Sequence, residues 1–308
     1  MNDLKKYYSS ENLDLVKYKI GQMYSISPKC VFLENGSMAL LSNIFHKIAT
    51  KNNKVMLGIG PQFYDVVTEW EVSGGEYIPS ENFEDLLNNI SLYPESLIYI
   101  DNPNNPTGYI YDREELISVL EKCKENKSIL VVDEAYGDYL DDSESMIKLT
   151  ETFNNLIVVR SFSKGLGLAS IRLGYAIVNS DLIPLFNSSI IPFCVPISSL
   201  KIASIALDSV DNFLRDSVNR TIQTKEKILC AIRECGIEVF PTSKKTPIFL
   251  VKCKDVDAEK YFRNLGIKVT PAKGFKKTYK YIDNQFCRIR IPNNGHNLDE
   301  FIRRIKLN

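Results

Sequence analysis

Four short segments of this chain carry residue types that do chemistry, and each lies at or near the end of an apolar run. Ser161-Phe162-Ser163-Lys164-Gly165-Leu166-Gly167 follows NLIVVR and sets a primary amine among hydroxyl-bearing neighbours. Such a lysine is either a solvated loop charge or, where water is excluded, an amine able to deprotonate and act as a nucleophile. Asp133-Glu134-Ala135-Tyr136 ends the run SILVV and offers acids. Asp101-Asn102-Pro103-Asn104-Asn105-Pro106-Thr107-Gly108 follows SLIYI. Alone it reads equally as a turn, since Asn, Pro and Gly are turn formers. Arg172-Leu173-Gly174-Tyr175 begins eight residues beyond the lysine. Upstream, Gly36 and Ser37 open a helical pattern after VFLEN, where backbone amides form an anion site.

The elements that must position these groups alternate. Helical spacing over 37–50 precedes a strand at 54–59 (KVMLGI). A helix from PQFYDVVTEWEV, a short strand GEYIP and a helix ENFEDLLNNI with Ser80 as its cap come next. SLIYID, SILVVDE, NLIVVR and LGYAIVN read as strands, with a helix at 112–126 between the first two. Strands alternating with helices imply βαβ crossovers and a mostly parallel sheet covered on both faces. Ligands bind at the carboxyl ends of such strands, where the segments above lie. After Pro196 the pattern changes. Residues 198–235 read as a long connecting helix with room for one break. EVFP, TPIFLVKC, IKVTP and QFCRIRIP read as strands of a small α+β domain, with helices near 257–265 and from Asn297. The first 30 residues are expected to pack with it.

The 308 residues carry 38 basic and 38 acidic side chains. Without a basic excess, nucleic acid is not an expected partner. No apolar run approaches the ~20 residues of a membrane span, and the first residues lack the apolar core of a signal peptide. Seven scattered cysteines with no CxxC pair read as reduced thiols of a cytoplasmic protein without a metal site. The two histidines are too few for a zinc site or a serine-type triad: His46 reads as a core or boundary residue and His296 as a solvated turn.

In order and spacing, NPNNPTG, DEAY, SFSKGLGLASIRLGY and the later CRIRI resemble the pyridoxal-phosphate enzymes of aminotransferase fold type I, class I/II. The resemblance is closest to the group that includes histidinol-phosphate aminotransferase. It runs from about residue 5 to residue 305. GLGLAS is no dinucleotide fingerprint, because its sixth position is Ser170. The resemblance implies a large domain (31–197) with a mostly parallel seven-stranded sheet that binds the cofactor. Residues 1–30 and 236–308 would form the small domain and 198–235 the link. It implies pyridoxal 5′-phosphate, with Lys164 holding the aldehyde as a Schiff base and Asp133 keeping the ring nitrogen protonated. Asn105 and Tyr136 would bond the ring's phenolic oxygen, and Phe63 would stack on the ring. Gly36, Ser37, Met38, Ser161, Ser163 and Arg172 would hold the phosphate, and Tyr8 would reach the partner subunit's phosphate. Catalysis would fall to Lys164, Asp133 and Tyr136.

On the substrate side, Arg288 matches the arginine that clamps a carboxylate, a task suited to a planar guanidinium. Arg290 would point the same way from a strand, either binding or pairing with an acid. Where histidinol-phosphate aminotransferases carry a second arginine this chain has Thr270; Lys273, Lys276 and Lys277 beyond it are either substitutes or a solvated cluster. The expected activity is transamination in two half-reactions, from an amino donor such as glutamate to a small ketone or aldehyde. A phosphorylated acceptor, such as imidazole-acetol phosphate or dihydroxyacetone phosphate, fits the group. The chain is short for the group and lacks a leading arm with an ENPYG-like motif, which points away from histidinol phosphate itself. One rival is a decarboxylase of threonine-phosphate or serine-phosphate type. Another is the aminotransferase-like half of a transcription regulator, for whose DNA-binding part the first 34 residues leave no room. A homodimer is the expected assembly.

Overall fold

The computed structural model describes residues 10–49, 54–292 and 295–306. Seven strands form one sheet in the order β1-β7-β6-β5-β4-β2-β3. They are β1 (Val31–Glu34), β2 (Val55–Ile59), β3 (Glu76–Ser80), β4 (Leu97–Asp101), β5 (Ile129–Glu134), β6 (Leu156–Ser161) and β7 (Gly174–Val178). All pairings are parallel except those of β7, which runs against both β1 and β6. The runs LIYI, ILVV and LIVV of β4, β5 and β6 are apolar without interruption because helices cover both faces, and each strand turns polar only at its carboxyl end. Leu97 and Tyr99 pack under α2 (Ser37–Ala49) and α3 (Tyr64–Val72). Ile98 and Ile100 pack under α4 (Phe83–Leu92) and α5 (Arg113–Glu125).

Local signals set the helix starts. Asp112 accepts from the Glu114 amide to begin α5, and Glu114, Glu115, Lys122 and Lys124 complement its dipole. The cap of α4 is Asn82, which accepts from the Asp85 amide, and not Ser80. The Ser80 hydroxyl instead accepts from Asn89.

α1 (Glu11–Tyr24) corrects the expected division of the chain. It packs on β1 and α7 (Ile197–Leu207), and Val16 and Ile20 join the core of the large sheet, not the small domain. The connecting segment is two helices, α7 and α8 (Val210–Glu234). The break has a cause in α1: Lys19 bonds the Ser204 carbonyl at 2.8 Å and the Asp208 carboxylate at 2.6 Å, satisfying the end of α7.

α6 (Ile183–Ser189) lies between β7 and α7 in the chain. A second, antiparallel sheet runs β10-β11-β9-β8, from β8 (Glu238–Val239), β9 (Ile248–Lys252), β10 (Thr270–Pro271) and β11 (Phe286–Arg290). α8, α9 (Ala258–Asn264) and α10 (Gly295–Lys306) build its core with Phe249, Phe262 and Phe301. Lys225 of α8 is fully buried where this sheet meets the loop after β4. Its Nζ donates to Ser243 O at 2.6 Å, Thr242 Oγ1 at 2.7 Å and Ile248 O at 2.8 Å, with Thr246 Oγ1 at 3.0 Å. Thr246 in turn donates to Gly108 O at 2.7 Å. His46 is exposed on α2, and His296 lies in the first turn of α10, not in a loop.

Candidate active site

The carboxyl ends of β4, β5 and β6 and the N-terminus of α2 converge on a cavity of about 310 Å³. Its walls contain Ser37, Met38, Phe63, Asn105, Asp133, Tyr136, Ser161, Ser163, Lys164, Arg172, Arg288 and Arg290. Of the residues expected here, Gly36 lies just behind the wall, and Tyr8 falls outside the described residues. A larger cavity, about 700 Å³, lies between the loop around 137–148 and α8. Arg160 and Lys245 in its wall are engaged by carboxylates, Arg160 by Glu134 and Lys245 by Asp141 and Glu144, and none of the expected site residues lines it. The chemistry therefore belongs to the smaller one.

Strand alternation decides which acid of Asp133-Glu134 enters the site. Val131 packs under α2 and α3, and Val132 under α5. Asp133 follows the parity of Val131 and reaches the cavity. Glu134 turns to the other face, where Arg160 at 2.7 Å, Ser145 Oγ at 2.8 Å and the Met146 amide at 2.7 Å satisfy it. Asp133 is buried. Its Oδ2 accepts from the Tyr99 hydroxyl at 2.8 Å and its Oδ1 from the Ala135 amide at 2.9 Å. Burial raises its pKa, and those two donors with the Lys164 charge oppose the rise.

Lys164 is half-buried and makes no hydrogen bond or ion pair among the described residues; its Nζ lies 5.2 Å from the centre of the Tyr136 ring. Arg288 reaches across from β11. Its Nη1 donates to Asn105 Oδ1 at 2.6 Å and its Nη2 to Thr270 Oγ1 at 3.3 Å. Its Nε is buried without a partner. Asn105 thus spends its carbonyl oxygen on Arg288, leaving its amide nitrogen as the group able to donate. Lys273, Lys276 and Lys277 do not line the cavity, and Lys277 pairs with Glu71.

Two glycines shape the anion end. Gly36, at φ +90°, precedes α2, and a Cβ there would come 2.9 Å from an Arg172 guanidinium nitrogen. Gly174 opens β7 opposite Ser161 and Glu34. A Cβ on it would come 2.4 Å from the Ser37 amide nitrogen. The first amides of α2, the Ser161 and Ser163 hydroxyls and Arg172 therefore close round one space that side chains would fill. A helix N-terminus with a guanidinium and hydroxyls suits a phosphate dianion. With an uncommitted amine and a buried carboxylate beside it, this set fits pyridoxal phosphate.

One site residue had no assigned role in the sequence. Asp101 lines the cavity and lies in register beside Asp133. Burial pushes its pKa up to about 8, against donors from the Phe63 and Asn105 amides, both at 3.0 Å, and from Asn104 Nδ2 at 2.8 Å. The signal was present: like Asp133, it is an acid at the carboxyl end of a strand.

Residues 1–305 match the family described as aminotransferase class I and II. The chain is 31% identical to a histidinol-phosphate aminotransferase of Brachyspira hyodysenteriae over 306 residues, covering 98% of this chain and 83% of that one. The crystal structure of histidinol-phosphate aminotransferase from Sinorhizobium meliloti in complex with pyridoxal-5′-phosphate superposes with a TM-score of 0.81 at 23% identity, covering 99% of this chain and 84% of that one. L-Threonine-O-3-phosphate decarboxylase from Porphyromonas gingivalis shares the fold, with a TM-score of 0.75 at 20% identity over 99% and 94%. The chain belongs to the aminotransferase class I and II family and is a pyridoxal-phosphate-dependent transaminase of fold type I.

Proposed function

We propose that the enzyme moves the amino group of an amino acid, glutamate in the first instance, to a small phosphorylated ketone of the imidazole-acetol phosphate type. The observation that carries this is Arg288: a guanidinium at the cavity wall, oriented by Asn105 and Thr270, with a buried Nε left over and no carboxylate partner among the described residues. A buried donor without a partner is costly unless a ligand completes it. The kinship with a histidinol-phosphate aminotransferase supports the phosphorylated acceptor.

When bound, pyridoxal phosphate supplies an electron sink for the bond pair released at the substrate Cα. Lys164 Nζ takes that proton and returns one, a general acid–base role. Asp133 would hold the ring nitrogen, its carboxylate favouring a proton there. Asn105 and Tyr136 would hold the phenolic oxygen and Phe63 the ring, all three lining the cavity. Arg288 holds the α-carboxylate of the donor.

The test is single-turnover reaction of the amino form with a panel of keto compounds, each with and without its phosphate. Faster amination of the phosphorylated member is the expected result, and equal kcat/KM for the pair would remove the phosphorylated acceptor. Carbon dioxide release from a phosphorylated amino acid, without a keto acid, would favour the decarboxylase. Arg288→Ala should slow the glutamate half-reaction roughly 30-fold or more, on a scale of about 2–5 kcal/mol for an unpaired, desolvated charge. Arg288→Lys should recover part of this, since it keeps the charge and loses the fork.

We further propose a homodimer in the cytoplasm. Ile191 is 58% exposed in an apolar groove that it forms with Leu13, Ile190 and Val195. A patch of this kind suits a two-fold interface, from which Tyr8 would reach the partner's site. A monomeric mass for fully active enzyme in light scattering would contradict this. The seven unpaired cysteines support a reducing compartment.

A further inference from the structure

The site cavity shares Lys164 and Arg290 with a second cavity of about 440 Å³. One wall of the second is a face of α8, with Ser217, Arg220, Thr221 and Thr224 at helical spacing. The facing wall runs from Tyr139, whose hydroxyl bonds Ser217, to Arg290 and Gly295, the first residue of α10. Among the described residues, no aspartate or glutamate lines it. Arg220 and Arg290 make no ion pair or side-chain hydrogen bond among the described residues, whereas Arg160, Arg263, Arg303 and Arg304 all engage carboxylates. Two guanidinium groups, several hydroxyls and a helix N-terminus, with no carboxylate, attract a multiply charged oxyanion. There is room for it: a Cβ at Gly167 or Gly295 would meet nothing within 4 Å. Arg288, assigned above to the carboxylate of the amino donor, and the Lys273–Lys277 loop do not line this cavity.

We propose that this second cavity receives the phosphomonoester of the amino acceptor, held by Arg220 and Arg290, while the keto carbon lies beside Lys164. The proposal rests on the reading that the acceptor is phosphorylated. It makes Arg220, a residue of the interdomain helix, a determinant of substrate choice.

The test uses the holoenzyme, whose own cofactor occupies the first phosphate site. Steady-state kcat/KM is measured for a keto phosphomonoester and for the corresponding free alcohol, in the wild type, Arg220→Gln and Arg220→Lys. Arg220 is exposed on α8, so both variants are expected to fold. The preference for the phosphorylated compound should fall roughly tenfold or more in Arg220→Gln and less in Arg220→Lys. Inorganic phosphate should compete with the phosphorylated acceptor in the wild type and lose potency in Arg220→Gln. If the wild type discriminates and neither its preference nor phosphate inhibition changes in Arg220→Gln, the subsite is overturned while the phosphorylated acceptor stands. If the wild type does not discriminate, the phosphorylated acceptor fails, and the subsite with it.

Discussion

Lys164→Ala is expected to abolish transamination while leaving cofactor binding measurable. The lysine supplies two things at once, the covalent tether and the proton transfer at Cα. Positioned proton transfer alone is worth about 10²–10⁴-fold, so kcat should fall by at least that much. No neighbour offers a substitute, because among the described residues no other lysine lines the cavity. The phosphate end is built separately, from the α2 N-terminus, Ser161, Ser163 and Arg172, and should still capture the cofactor without a covalent bond. Two measurements check this. Borohydride reduction of the wild type should fix the cofactor to the peptide containing Lys164, and the variant should yield unattached cofactor. Fixation to a different lysine, or a variant retaining more than about a hundredth of wild-type kcat, would remove Lys164 from the mechanism.

Asp133→Asn carries the next largest effect, and its sign differs between catalysis and stability. The amide keeps the shape and one acceptor, so Tyr99 or Ala135 remains partnered. What disappears is the charge that holds a proton on the ring nitrogen. Cα deprotonation should slow by roughly 100-fold or more, the scale of losing one preorganised electrostatic partner. Cofactor affinity should change far less, since the loss falls in the transition state. For stability the linkage runs the other way. Burial holds the folded pKa above the ordinary aspartate value of 3.8, so above pH 3.8 the folded apoprotein binds more protons than the unfolded chain. Stability contributed by this group is then lost as pH rises through that window. Replacing it by a neutral amide removes the penalty, and the Asp133→Asn apoprotein should melt no lower than wild type near neutral pH. An unchanged half-reaction rate, or a variant apoprotein that melts well below wild type, would contradict this account.

What could be read from the residues alone was whatever is local. Lys164, Asp133, Asn105 and Arg172 each sit in a segment whose neighbours announce a strand end, so type and position were legible together. Asp101 carried the same signal but was absorbed into a turn motif; only the register of β4 beside β5 puts its carboxylate next to Asp133. α1 was assigned to the wrong layer because an amphipathic helix announces that it has an apolar face, not which sheet will cover it. Val16 and Ile20 would suit either sheet; the large one took them because α7 and β1 lie against α1. IKVTP shrank to the two residues of β10 for a visible reason. Pro271 has no amide to donate, and the chain turns at once into the 3₁₀ segment Ala272–Lys277. The commitment of Arg288 to Thr270 was illegible, because a cross-strand pair exists only once register is set.

Asp101 has a consequence for how this site tolerates change. One buried carboxylate fastens the loop carrying Phe63 and the loop carrying Asn105, through amides donated from each. The stacking surface and the group at the phenolic oxygen are thus pinned to a common point, though 42 residues separate them in the chain. Substitutions at Phe63 and Asn105 that leave Asp101 intact should act nearly independently, whereas removing Asp101 frees both loops together and makes their effects interdependent. Diversification of this scaffold toward new acceptors is therefore freer along Arg220, Arg290 and the α8 face than along the two pinned loops, where each change of spacing has to be matched by a second.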